Sequence, residues 1–212
     1  PEELDNIYIF ENMENAIEQA EVIIEAIPEQ LELKKALFEQ LILKTPQETI
    51  LATNTSGIPI EQIAKDTKEP QRILGTHFWN PPHLVPLVEV IQSHFTDPKI
   101  IQRMLVLLTS VGKTAVHVKK DIPGFIGNRL QHARKREAIS LVENGICDAE
   151  TVDLVVKEGF GMRLAVMGPL ENSDLVGLDL TLNIHKFLLS DLDTSTEPQK
   201  LLQAKVLAGE LG

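Results

Sequence analysis

Two side chains twelve residues apart, His77 and Glu89, are the pair in this sequence best suited to moving a proton. His77 ends one apolar segment, and Glu89 sits inside the next, flanked by Leu87, Val88, Val90 and Ile91. Between them runs the loop Phe78-Trp79-Asn80-Pro81-Pro82-His83. Two strands joined by such a loop bring the two side chains together. A carboxylate bonded to one imidazole nitrogen fixes the tautomer and makes the other nitrogen a better base. Glu89 is expected to be buried among its aliphatic neighbours, and a buried carboxylate needs a partner. A structural histidine beside an unrelated glutamate satisfies the same spacing, because perturbed pairs are often structural.

Ser56 and Asn128 are the next candidates. Ser56 lies in the polar turn Asn54-Thr55-Ser56-Gly57, at the carboxyl end of an expected strand, which is where open α/β sheets bind ligands. Turn chemistry is the simpler account of the residue types alone. No G-x-S-x-G frame surrounds Ser56, which argues against a hydrolase nucleophile. Asn128 follows Pro-Gly-Phe-Ile-Gly, and its amide can position a hydroxyl or carbonyl or simply cap a helix.

The elements that must position these residues read as an alternation of strands and helices over residues 1–120. Apolar segments at 7–10, 22–27, 49–53, 73–77, 87–90 and 115–118 are expected strands. Helical spacing is expected at 12–20 (with an Asn12 cap), 31–43, 60–64 and 98–111. The near-continuous apolar run VIIEAI suits a parallel strand covered on both faces. Such alternation predicts a mostly parallel, doubly wound α/β sheet. From Pro123-Gly124 onward only helices are expected, over 125–144 with Gly145 past its end, 149–157 with Asp148 as cap, 168–189, and from Pro198. The division is therefore 1–120, a sheet domain, and 121–212, an all-helical domain.

Composition bounds the function. The chain has 212 residues, 43% hydrophobic and 24% charged, an ordinary globular mix. Its 20 Lys and Arg against 31 Asp and Glu give a net charge of −11, which argues against a nucleic-acid partner. The first 33 residues hold ten acidic side chains and no Lys or Arg. No apolar run is long enough to span a membrane, and no leader is evident. The single cysteine, Cys147, fits a reducing compartment, with a cytoplasmic location expected and the mitochondrial matrix also compatible. The six histidines show no paired zinc spacing, so no metal site is expected. Gly159-Phe160-Gly161 is the nearest approach to a phosphate loop, but Leu164 stands where the third glycine belongs.

In this order, the pieces resemble the NAD-dependent L-3-hydroxyacyl-CoA dehydrogenase family, of the 3-hydroxybutyryl-CoA type. The matching segments are IIEAIPEQLELK at 23–34, ATNTSG at 52–57, GTHFWNPPHLVPLVEV at 75–90 and DIPGFIGNRL at 121–130. The resemblance implies a Rossmann-like NAD-binding domain followed by a helical domain that forms a homodimer and meets an acyl-CoA substrate. It implies that His77 is the base, oriented by Glu89, and that Ser56 and Asn128 hold the substrate oxygen. It places Glu29, Lys34, Ser56 and Asn80 toward the nicotinamide nucleotide. The family's first strand and its G-x-G-x-x-G turn would precede Ile7, and an aromatic closing segment would follow Gly212. The expectation is therefore a partial Rossmann-like sheet, trimmed at both ends and weak for NAD as written. Another 3-hydroxy acid, of the sugar-acid or carnitine type, is the alternative substrate class. A non-catalytic dimeric fragment is the alternative outside enzymes.

Overall fold

The computed structural model describes residues 4–211. Among them the chain divides into two compact units, Pro1–Arg129 and Leu130–Gly212.

The first unit is built on a sheet of five strands, β1 (Val22–Glu25), β2 (Ile50–Thr53), β3 (Ile73–Phe78), β4 (Leu87–Ile91) and β5 (Thr114–Val118), lying in chain order. β1 with β2, β2 with β3, and β4 with β5 pair in parallel; β3 and β4 pair antiparallel. The parallel steps need crossovers, and the sequence supplies helices between them. These are α2 (Leu31–Lys44) after β1, α3 (Ile60–Ala64) after β2 and α4 (Pro98–Ser110) after β4. α1 (Met13–Ile17) precedes the sheet. All four residues of β2 are buried, whereas β1, at the sheet edge, is only partly covered despite its near-continuous apolar sequence.

Two apolar clusters complete the core. One gathers Phe38 and Leu41 of α2 with Ile60 and Ile63 of α3 and Phe125. The other gathers Met104 and Leu108 of α4 with Ile50, Leu74, Val88 and Val90. Burial of each such side chain contributes about 1.5–3 kcal/mol. Local signals fix the helix starts. Asn12 and Asp97 accept hydrogen bonds from the backbone N–H of Glu14 and Lys99, and Pro98 occupies the first turn of α4.

The strand expected at 7–10 is absent. Those four residues are coil, with Ile7, Tyr8, Ile9 and Phe10 between 50% and 95% exposed. Apolar composition alone does not make a strand; a ladder partner is required, and among the described residues β1 pairs only with β2.

The second unit is helical, with no strand among its described residues. α5 (Gly127–Glu143) begins in the first unit and continues into the second; it is followed by α6 (Ala149–Glu158), α7 (Pro169–Val176), α8 (Leu178–Leu188) and α9 (Lys200–Leu207). Gly145 leaves the end of α5 at φ 69°, and Asp148 caps α6 through the N–H of Thr151. The single helix expected over 168–189 is two, because Gly177 sits at φ 102°, which no helix can carry through. The loop before α9 is clamped by polar contacts. Asp193 N–H donates to Glu137 (2.7 Å), and Gln199 Nε2 donates to Asp193 (2.9 Å) and to the Arg136 carbonyl (3.2 Å). No helix among the described residues is long and apolar enough to cross a membrane.

Candidate active site

The antiparallel step between β3 and β4 sets His77 directly opposite Glu89. His77 Nδ1 lies 2.8 Å from Glu89 Oε2, and the residues are 5% and 1% exposed. The same carboxylate accepts three further donors: Trp79 Nε1 at 3.3 Å on Oε2, and the N–H groups of Ile126 (2.9 Å) and Gly127 (3.0 Å) on Oε1. Burial works to raise the Glu89 pKa. The bonds from His77, from Gly127 and Ile126, and from Trp79 outweigh it and hold the carboxyl below its ordinary value. An ionised Glu89 can only accept, so Nδ1 carries a proton, and in the neutral imidazole the lone pair is then on Nε2. No hydrogen bond from the described residues engages Nε2.

The two backbone donors owe their aim to an unusual turn. Gly124 and Phe125 both have positive φ, 75° and 49°. Positive φ is rare for a bulky side chain and is found where the surroundings impose it. The turn delays the start of α5 to Gly127, two residues later than its composition suggests, and points successive N–H groups at one anion, as backbone nests do. The Phe125 ring, fully buried, is centred 5.6 Å from the imidazole, and the Trp79 ring 5.7 Å from it. A Cβ on Gly127 would lie 2.2 Å from Trp79 Cζ2, so only glycine fits there.

The Ser56 turn is held from two sides. Glu29 Oε1 accepts the Thr55 hydroxyl (2.5 Å) and the N–H groups of Ser56 (3.0 Å) and Gly57 (3.2 Å). The Asn128 side-chain amide donates to the Ser56 carbonyl (2.8 Å). Asn54 Oδ1 accepts the Phe78 N–H (2.9 Å), tying this turn to the residue beside His77. Burial works to raise the Glu29 pKa, and the bonds from Thr55, Lys34 and Ser56 outweigh it, so it too is held low.

His77, Glu89, Ser56, Asn128 and Glu29 are thus linked at the carboxyl ends of β1, β2 and β3. Asn80 is exposed in the loop after β3. Lys34 differs from what its motif position suggests. It is 1% exposed, and its ammonium reaches Glu25 Oε1 at 2.7 Å, Glu29 Oε2 at 3.3 Å and the Ile27 carbonyl at 3.3 Å. Its three protons are committed to protein oxygens, so it bears on the site through Glu29. Glu25, Trp79 and Phe125 belong to the arrangement without having been singled out from sequence. Glu25 carried a usable signal, since it is a carboxylate inside an apolar strand, as Glu89 is.

Comparison with known proteins places the chain in a family. Residues 2–122 match the family model "3-hydroxyacyl-CoA dehydrogenase, NAD binding domain", and residues 124–212 match "3-hydroxyacyl-CoA dehydrogenase, C-terminal domain". A probable 3-hydroxybutyryl-CoA dehydrogenase of Bacillus subtilis is 41% identical over 210 residues, 99% of this chain and 71% of its own length. The 5-formyl-3-hydroxy-2-methylpyridine 4-carboxylate 5-dehydrogenase of Mesorhizobium japonicum is 37% identical over 198 residues, 93% of this chain and 64% of its own length. An L-carnitine dehydrogenase of Streptomyces griseus is 36% identical over 173 residues, 82% of this chain and 52% of its own length. The chain thus spans roughly half to seven-tenths of these relatives. A solved structure of an enzyme with the same pyridine substrate superposes with a TM-score of 0.92 at 36% identity, covering 96% of this chain and 66% of that one.

Proposed function

The chain belongs to the 3-hydroxyacyl-CoA dehydrogenase family, whose cofactor is NAD, and on that premise we propose that the protein carrying it oxidises the 3-hydroxyl of an L-3-hydroxyacyl-CoA to the ketone. The observation that supports this best is the His77–Glu89 pair, locked by strand register and presenting a lone pair on Nε2. His77 Nε2 takes the hydroxyl proton. Glu89 holds the tautomer beforehand and stabilises the imidazolium afterward. The hydroxyl of Ser56 and the amide of Asn128 hold the substrate oxygen. NAD supplies the hydride acceptor when bound. The exposed, ionised carboxylate of Glu29 suits ribose hydroxyls, with Lys34 acting through Glu29, and the exposed Asn80 is assigned to the nucleotide as well. Loss of the proton makes the carbinol carbon a better hydride donor, so a base placed on the oxygen and an acceptor placed on the carbon work in concert.

The test is NADH formation by the full-length protein with 3-hydroxybutyryl-CoA. His77→Ala should lower kcat by at least about 100-fold. No turnover by either form overturns the reading. A second substrate class is favoured by one observation, the TM-score of 0.92 with a dehydrogenase of a small pyridine acid rather than a CoA thioester. A panel of 3-hydroxybutyryl-CoA, carnitine and the formylpyridine carboxylic acid separates the two.

The division near residue 120 corresponds, in this reading, to a nucleotide-binding half and a helical half that pairs with a second copy. The many exposed apolar side chains of the helical unit, among them Leu175, Leu178, Leu182 and Phe187, support that pairing. Sedimentation at micromolar concentration should show a dimer; a monomer overturns it.

A further inference from the structure

Glu25 has no part in the chemistry described above, yet it is 4% exposed, and every oxygen of its carboxylate is engaged. Oε1 accepts the Ile27 N–H and the Lys34 ammonium, each at 2.7 Å, and Oε2 accepts the Thr53 hydroxyl at 2.7 Å. From Lys34 the chain of contacts continues to Glu29 Oε2 at 3.3 Å, and from Glu29 Oε1 to the N–H groups of Ser56 and Gly57. Each link is charged on at least one side, and its inner half is removed from water, where such contacts are strongest.

From this continuity we propose that Glu25 is a positioning residue for the Ser56–Gly57 turn, acting through Lys34 and Glu29. Burying an ammonium and a carboxylate is costly, and a hydrophobic pair of similar volume is often as stable. Stability alone therefore does not explain the pair. Its physical effect lies in geometry. Glu25 draws the Lys34 ammonium beneath the surface, the ammonium fixes one oxygen of Glu29, and the other oxygen is then set to receive two backbone donors. The exposed side chain of Glu29, 43% accessible, would otherwise sample many rotamers. The proposal rests on the reading that this turn belongs to the site, but its primary test does not depend on any substrate.

The test is amide hydrogen exchange of the 212-residue chain, read at Ser56 and Gly57. Two variants cut the relay: Glu25→Gln, and the double Glu25→Gln with Lys34→Met, which leaves no unpaired buried charge and so preserves the fold if the single variant does not. In each, exchange at Ser56 and Gly57 should quicken by about tenfold or more relative to amides in the middle of β2. Thr53→Val is the comparison, because it removes the Oε2 contact and lowers stability without touching Lys34. It should leave Ser56 and Gly57 protected relative to the same β2 amides. Protection unchanged in the double variant, or lost equally in Thr53→Val, overturns the proposal. In the full-length enzyme the double variant should lower kcat for the hydroxy substrate while shifting its KM by less than about threefold, since a misplaced turn damages alignment more than binding. Altered exchange with no dehydrogenase activity in any form would retire the proposed reaction and leave the positioning role standing.

Discussion

Every buried apolar side chain among the described residues lies between Ile17 and Phe125, in the sheet unit; in the helical unit only Gln199 is buried to the same degree. The sheet unit closes on itself, with α2 and α3 contributing to one apolar cluster and α4 to the other, and it then affords two buried carboxylates, Glu25 and Glu89, each saturated with donors. The helical unit is held by part-buried polar clamps such as Glu137, Asp193 and Gln199, while Leu170, Leu175, Leu178 and Phe187 stay 64% to 79% exposed. The difference teaches where stability and chemistry can be separated. A unit with a dry core can hold strained and charged residues in place, whereas one whose apolar faces meet water draws less hydrophobic free energy from its own fold.

The comparison breaks most readily at the core. Phe38→Ala should cost about 3–5 kcal/mol in the sheet unit, whereas Leu180→Ala in the helical unit should stay within about 0.5 kcal/mol in dilute solution. Urea titrations with one probe in each unit decide this, and equal losses would erase the distinction. Association would sharpen it, because the Leu180 cost should then rise with protein concentration. Gly127→Ala should cost about 1–3 kcal/mol, since the added carbon meets the rigid indole of Trp79 at 2.2 Å. It should also perturb the pH dependence of turnover by shifting Trp79 away from Glu89. A wild-type profile with wild-type stability would show that the indole yields freely. Gln199→Ala should cost about 1 kcal/mol and loosen only the 191–199 loop, as read by local amide exchange.

Acid gives the smallest and most local contrast. Glu89 has its folded pKa below the ordinary 4.5, so its contribution is fully present above that value and is lost as the pH falls through the folded pKa. Asp193 follows the same sign. The Ser195 N–H, the Gln199 amide and the Ser195 hydroxyl lower it from 3.8 to about 2. Its contribution is complete above 3.8 and lost as the pH falls through about 2. Carboxyl NMR titration should find Asp193 still ionised at pH values that protonate an ordinary aspartate. A midpoint near 3.8 would mean that the clamp is open in solution.

Much of this was legible in the residues. The twelve-residue spacing of His77 and Glu89 became a cross-strand pair because a short loop between two apolar segments leaves few other pairings. β2 and α2 followed from their apolar residues, and the starts of α1 and α6 from their capping side chains, whereas the Asp97 cap of α4 emerged only from the structure. What was not legible depends on partners distant in sequence. Residues 7–10 have strand composition but no ladder. Gly177 is tolerable in a helix until its φ is known. Phe125 gives no hint of a left-handed backbone, because the surroundings impose it. The burial of Lys34 followed only from seeing Glu25, Ile27 and Glu29 converge on one ammonium.

The antiparallel step between β3 and β4 also bears on the order of assembly. His77 and Glu89 are separated by 12 residues, whereas Asn128 reaches back across 72 to grip the Ser56 carbonyl. Closing the longer loop costs about 1.6 kcal/mol more chain entropy, at roughly 0.6 kcal/mol per doubling. Hairpins form in about 1–10 μs, well ahead of contacts that must wait for distant chain. The His77–Glu89 pair is thus prepared early, and the Asn128–Ser56 contact is completed last. A chain caught midway through folding would hold His77 and Glu89 already paired while the Ser56 turn still waits for Asn128 to close on it.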